Sequence, residues 1–303
     1  MPSVKISNVQ FATPEQAKIM ADNTLRCYEV HVACHELLGH GVGKLIYRNA
    51  DGTCEKYTDP INGEEFESCY EEGEVWNTKF GAISTSYEEC RADTCGFYLC
   101  TLKEVYELFG FQDHEVDTML WVNVMSQLRK GILGLPLYNP ETNKWGQAHT
   151  QGAFVFTMWI YRNQKSKIVE FEVKDDEFFI HLDQALLVTE GKELIRSLLM
   201  VLQTYKSSGA AERGTKWYND YSAVGEMFLK IRDIVIAKKK PRRLDLNNNL
   251  VRYSESSIEP VCYPENFQGV ILSYADRFTF NKKLFDQVKG VWDENKEGLR
   301  VVE

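Results

Sequence analysis

The sequence lacks any long apolar run. Its longest, Gly152–Tyr161, is about half of the roughly 20 residues that a membrane helix requires, so no membrane partner is expected. The opening Met-Pro-Ser-Val-Lys-Ile-Ser has no apolar core of the kind a secretory signal carries. Positive charge is not in excess: 35 Lys and Arg against 44 Asp and Glu leave a formal charge of −9. That balance argues against nucleic acid, whose affinity for proteins comes from clustered cations. There is no N-x-S/T sequon, and none of the eight cysteines forms a C-x-x-C pair. An even cysteine count could mean disulfides, but a chain of this length can build a core without them, and together these absences favour a reducing, cytoplasmic location. What remains is an ordinary folded composition, 44% hydrophobic and 26% charged, long enough to bury a sizeable core.

Most segments follow a helical period. Thr13 followed by Pro14 reads as a cap and first helical residue, opening a helix that runs to about His40. Further helices are expected over Ser84–Leu108, Glu115–Leu133, Lys144–Arg162, Asp183–Tyr205, Thr215–Ala237 and Asn266–Trp292. Two β-hairpins stand out: Gly43–Arg48 with Thr53–Tyr57, and Lys167–Lys174 with Glu177–Leu182. Arg242–Pro264 has weak periodicity and reads as an ordered loop or crossing segment. The basic run Lys238–Arg243 reads as a solvated helix end, where cations suit the dipole. The fold class is therefore mainly α, with two small hairpins.

The informative stretch is His35-Glu36-Leu37-Leu38-Gly39-His40. It is like the zinc-binding H-E-x-x-H helix with one residue added. Positions four apart lie roughly 40° from one another around a helix, and positions five apart roughly 140°. Two histidines five apart share an ion only if the helix bulges locally, as a single π turn does. Gly39 is a natural place to absorb the extra residue, because glycine tolerates unusual backbone angles. Otherwise the two histidines are unrelated. A catalytic zinc also needs a third ligand. Glu88, Glu89 and Asp93 are candidates, with Glu89 and Asp93 on one helix face. The alternative for this run is an exposed acidic turn salt-bridged by Arg91.

The two motifs together, His-Glu-Leu-Leu-Gly-His at 35–40 and Glu-Glu-Cys-Arg-Ala-Asp at 88–93, resemble the signature pair H-E-x-x-G-H and E-E-x-R-A-D/E of the dipeptidyl-peptidase III family. These are zinc exopeptidases that release dipeptides from the N-termini of oligopeptides. The resemblance implies that His35, His40 and Glu89 hold one zinc ion, that Glu36 is the general base, and that Glu88 and Asp93 steady the histidines. It implies that His149, in Trp145-Gly-Gln-Ala-His149, lies near the zinc and stabilises the reacting carbonyl. It suggests a substrate-contacting role for Arg252. Two departures accompany it. Ala153 stands where the family usually has an arginine, and Ile61-Asn-Gly-Glu64 replaces a Glu-Thr-Gly-Glu partner loop of some animal members.

Family members also have two lobes, one helical and zinc-bearing, the other built round a β-barrel, with the peptide cleft between them. By this comparison residues 1–303 are expected to form the helical zinc lobe alone, without the β-barrel lobe that would complete the cleft. The expected function is zinc-dependent release of dipeptides from oligopeptide substrates. The alternative is a zinc-binding module with little or no turnover.

Overall fold

The computed structural model describes residues 9–174, 176–238, 249–253, 256–264, 266–277 and 282–295. The described residues fall into two compact units, one ending at Lys239 and the other beginning at Lys240.

The first unit is helical. Helix α1 (Pro14–Cys34) starts at a reciprocal cap: Gln16 N–H donates to Thr13 Oγ1, and Thr13 N–H donates to Gln16 Oε1. Residues 35–39 continue it as a π turn. A hairpin follows, β1 (Lys56–Thr58) with β2 (Glu65–Glu67). Next come α2 (Trp76–Phe80), α3 (Ser84–Leu99), α4 (Lys103–Leu108) and α5 (Asp113–Leu133). A minimal pair, β3 (Tyr138–Asn139) with β4 (Lys144–Trp145), precedes α6 (Ala148–Asn163). The hairpin β5 (Val169–Lys174) with β6 (Glu177–Leu182) stands where the sequence places one. The short α7 (Gln184–Leu186), α8 (Lys192–Ser208), α9 (Ala211–Ser222) and α10 (Glu226–Lys238) complete the unit.

Helix α3 is the spine. It packs against α1, α6 and α8, and eleven of its residues are buried, Tyr87, Cys90, Arg91 and Asp93 among them. Helices α5 and α6 pack closely on each other and carry the most apolar core, including Leu120, Met125, Leu128, Phe154 and Phe156.

Several expected boundaries shift, each for a local reason. The segment 84–108 is two helices, because Leu102 turns extended and Thr101 Oγ1 donates to the Tyr98 carbonyl. The helix expected from Lys144 starts at Ala148, where Gln147 Oε1 accepts from Thr150 N–H; Lys144 and Trp145 pair with β3 instead. The segment 215–237 breaks at residues 223–225, where Ala223 is extended. The first hairpin is displaced. Residues 43–48 form no strand beyond a single bridge from Tyr47 to Tyr70, and the pairing lies between 56–58 and 65–67.

That register also brings two of the eight cysteines together. Lys56 faces Glu67, so two steps outward Cys54 faces Cys69, and the two form a disulfide with Cα atoms 5.4 Å apart. The other six cysteines are free.

In the second unit, β7 (Leu250–Tyr253) pairs with β8 (Ile258–Val261) inside the stretch expected to be a loop. Helices α11 (Phe267–Arg277) and α12 (Lys282–Asn295) occupy the region of the last expected helix. Residues 239–243 of the basic run lie outside the described residues.

Candidate metal centre

His35 and His40 are brought together by the π turn. His40 N–H donates to the His35 carbonyl, five residues back, at 2.9 Å. This wider turn cancels the offset that a regular helix imposes at that spacing. The two imidazoles meet edge to face with centroids 4.7 Å apart. Leu37 and Leu38 point outward, and Gly39 turns inward onto α3. Gly39 has no left-handed backbone angle, which corrects the reason offered from sequence. It is needed for close approach: a Cβ there would meet Ala92 O at 2.9 Å and Ala92 Cα at 3.0 Å. Arg91 Nη2 donates to the Gly39 carbonyl, tying the turn to α3.

Helix α3 delivers all three carboxylates. Glu89 Oε2 lies 3.4 Å from His35 Nε2, 3.6 Å from His40 Nε2 and 3.3 Å from His149 Nδ1. It is out of solvent and makes no hydrogen bond among the described residues. Native proteins rarely leave a buried carboxylate oxygen so. An ion with tetrahedral bonds of about 2.1 Å to nitrogen and oxygen separates its ligand atoms by about 3.4 Å, close to the two spacings from Glu89 Oε2 to the Nε2 atoms of His35 and His40. Two imidazoles and a carboxylate, His35, His40 and Glu89, are donors of the kind that a zinc site uses. Ligand atoms of His35, Glu36 and His40 also lie within 4.8 Å of one another. Glu36 is exposed, however, whereas Glu89 Oε2 is buried and makes no hydrogen bond among the described residues.

The flanking acids hold the rings. Glu88 Oε1 is 3.1 Å from His40 Nδ1. Its carboxylate is clamped by Arg91, at 2.9 Å from Nε and 2.7 Å from Nη2, and by Lys206 Nζ at 2.6 Å. Burial alone would raise the Glu88 carboxyl; the two cations override it and bring it to about 2. Asp93 Oδ1 is 2.8 Å from His35 Nδ1. The pair lies outside well-aligned hydrogen-bond geometry, yet at that separation it orients the ring. Asp93 Oδ2 accepts from Gln127 Nε2 at 3.1 Å and Lys130 Nζ at 3.2 Å. Burial opposes its charge, but His35, Lys130 and His31 hold it well below the usual carboxylate range. At His35, burial pulls the imidazole down, and the Asp93 contact with the charges of Asp93, Glu89 and Glu36 raises it on balance. His31, stacked on Phe97, is lowered by burial.

Of the residues singled out from sequence, His35, Glu36, His40, Glu88, Glu89, Asp93 and His149 come together. Ala153 is wholly buried in α6, so that position faces the core. Arg252 lies in β7, in the second unit, and its side chain is outside the described residues. Lys206, Lys130 and Gln127 were not found from sequence, since they come from α5 and α8 with no local motif.

A cavity of about 220 Å³ opens beside His35, Glu36 and His149. No helix among the described residues is long and apolar enough to cross a membrane.

Comparison with known proteins gives the same direction. The chain is 36% identical over 279 residues to dipeptidyl peptidase 3 of Nematostella vectensis, covering 89% of this chain and 38% of that protein. It is 34% identical over 263 residues to dipeptidyl peptidase 3 of Homo sapiens, covering 83% of this chain and 36% of the relative. The chain thus spans well under half the length of these curated relatives. The solved structure of DPP III from Caldithrix abyssi shares the fold, with a TM-score of 0.50 at 18% identity over 76% of this chain and 35% of that one. The model of Peptidase family M49 matches residues 2–278, a span that holds both motifs and every residue of the cluster around Glu89, and the chain belongs to that family.

Proposed function

We propose that this chain is the zinc-bearing helical lobe of a dipeptidyl-peptidase III-type enzyme, which removes dipeptides from the N-termini of oligopeptides. The observation that carries the reading is the buried, unpartnered Glu89 Oε2, 3.3–3.6 Å from three imidazole nitrogens. His35, His40 and Glu89 would hold zinc, which when bound polarises a carbonyl and makes its water acidic.

The remaining steps belong to the chain. Glu36 is next to ligand His35 but exposed, so its carboxylate is free to take a proton from water and return it to the leaving amine. Asp93 and Glu88 fix the two imidazoles with their Nε2 atoms toward Glu89. His149, at the start of α6 and half-exposed 3.3 Å from Glu89, would stabilise the charge gained by the carbonyl oxygen. A second lobe would close the peptide cleft from the other side. The test is metal content. The purified chain should hold one zinc ion, and Glu89→Ala should lose most of it. Retention of full zinc by Glu89→Ala would overturn the assignment.

A further inference from the structure

We propose that the Cys54–Cys69 disulfide is a redox-controlled clasp on the metal centre, acting through Tyr70 and Lys206 as positioning residues. The link to zinc rests on the metal assignment proposed above.

Lys206 is held at both ends. Its ammonium is 2.6 Å from Glu88 Oε2, and Glu88 Oε1 in turn lies 3.1 Å from His40 Nδ1. Its carbonyl accepts from the Tyr70 hydroxyl at 2.7 Å. Tyr70 is wholly buried and follows Cys69 directly in the chain. Both residues are seated on the end of α8: a Cβ at Gly209 would meet the Cys69 carbonyl oxygen and the Tyr70 ring, each at 3.1 Å. The disulfide thus fixes the neighbour of the residue that fixes Lys206.

The segment around the clasp has little else to hold it. Its hairpin has two strands of three residues each, and a two-stranded pairing that short is marginal by itself. Asp59 anchors the tip to Tyr205 and Arg213. Nearer the site, Ile46 N–H donates to the Ser207 carbonyl at 2.9 Å, Tyr70 N–H to the Ile46 carbonyl at 2.8 Å, and Arg48 N–H to the Tyr70 carbonyl at 2.9 Å. The cross-link joins residues 15 apart in sequence. By removing open conformations, a cross-link of that span shifts the opening equilibrium on the order of a hundred-fold.

The chemistry is thiol–disulfide exchange with a dithiol reductant. Cys54 is half-buried and Cys69 buried, so Cys54 is the sulfur within reach. A thiolate of the reductant attacks Cys54 Sγ, the Sγ–Sγ bond breaks, and the electron pair leaves on Cys69, which takes a proton. The reductant's second thiolate then attacks its own sulfur in the mixed disulfide and releases Cys54, which takes the second proton. The dithiol departs as a disulfide, having given up two electrons. In the reduced protein the segment opens more often. Each opening frees the Lys206 carbonyl and loosens its ammonium on Glu88, so His40 is held less firmly and zinc leaves faster.

The experiment uses the full chain with Cys262→Ser, which removes the exposed free thiol among the described residues. Three zinc-loaded forms are compared: oxidised, reduced with a dithiol and desalted without air, and Cys54→Ser/Cys69→Ser. Hydrogen exchange reads the segment, and release to excess chelator reads the metal. The amides of Ile46, Arg48 and Tyr70 should exchange about ten- to hundred-fold faster in both forms that lack the cross-link. Zinc release should quicken about three-fold or more in both. Lys206→Met keeps an apolar stem but cuts the link to Glu88. It should release zinc at one fast rate whether oxidised or reduced, while the difference in amide exchange persists. Three results would overturn the inference and leave the metal assignment standing: unchanged exchange at the three amides, faster exchange with unchanged zinc release, or a redox effect on release that survives Lys206→Met. If the oxidised protein binds no zinc, the metal assignment fails and the inference with it.

Discussion

Gly39→Ala tests the assembly of the metal centre with one methyl group. The added Cβ would meet Ala92 O at 2.9 Å and Ala92 Cα and Cβ at 3.0 Å. Two of those atoms are backbone and cannot rotate aside, so the π turn and α3 must part by several tenths of an ångström. Overpacking of this kind costs about 1–3 kcal/mol. Alanine returns up to about 1 kcal/mol through its better helix propensity, so the net loss is about 0–3 kcal/mol. The fold should survive. Metal affinity should suffer more, because the parting falls between His35 and His40 on one side and Glu89 on the other, and it strains the Arg91 contact to the Gly39 carbonyl. We expect zinc affinity to fall about ten-fold or more, which corresponds to about 1.4 kcal/mol. The assay pairs chelator competition for zinc with urea unfolding of the metal-free protein. Gly225→Ala is the control, since its Cβ would meet nothing within 4 Å. A Gly39→Ala protein whose zinc affinity stays within two-fold of wild type would refute the argument from close approach.

Other outcomes follow from the same geometry. Glu36→Gln should keep its zinc by metal analysis while any dipeptidyl-naphthylamide hydrolysis falls by about 10²–10⁴, the range of general-base catalysis. Glu88→Gln should weaken zinc binding about 10- to 100-fold without abolishing it, since Glu88 acts through His40; loss equal to that of Glu89→Ala would show the roles are misassigned. The raised His35 imidazole means that protons compete with the metal from above its ordinary value of 6.5, so zinc affinity should drop between pH 8 and pH 6 in chelator competition. Asp59 accepts from Ile61 N–H at 2.9 Å, Tyr205 OH at 2.7 Å and Arg213 Nη1 at 2.7 Å. Burial pushes its carboxyl up, but these donors hold it below the ordinary value, so its stabilisation is present above about pH 4 and is lost as pH falls through the folded value. Asp59→Asn should therefore lose about 1.5–3 kcal/mol in urea unfolding at pH 7, with the gap to wild type closing toward pH 2; a constant gap would exclude the charge as its source.

The sequence is most legible where a local spacing forces a geometry. Two histidines five apart require a widened turn if they are to share an ion, and the backbone between His35 and His40 has one. The hairpin at 169–182 is equally plain, since alternating Val, Phe and Ile flank a short polar turn. Legibility fails where the decisive partner is distant in the chain. Lys206 reaches Glu88 from 118 residues away, and no pattern near it announces the contact. Cys54 and Cys69 are opposed only through the register of a hairpin that begins at Lys56, ten or so residues beyond where the alternation of 43–48 points. Gly39 was the right residue for the wrong reason. Its neighbour across the interface, Ala92, is invisible until two helices are packed. Helix ends at Cys100 and Ala223 were missed because neither coincides with a Gly or Pro stop signal.

The pairing of the acids on α3 has a consequence for how the proposed metal would be acquired. Glu88 already has Arg91 and Lys206, and Asp93 already has Lys130. Among the described residues, Glu89 is the one of the three without a lysine or arginine. If Glu89 is a metal ligand as proposed, an arriving dication would find its neighbours on α3 already paired and need not nucleate any part of the core. Stripping it should leave a folded apoprotein that reloads in a single second-order step, unlike domains whose folding waits for the ion. Occupancy would then track the free zinc available to the protein, so that the loaded fraction can rise and fall while the amount of folded chain stays constant.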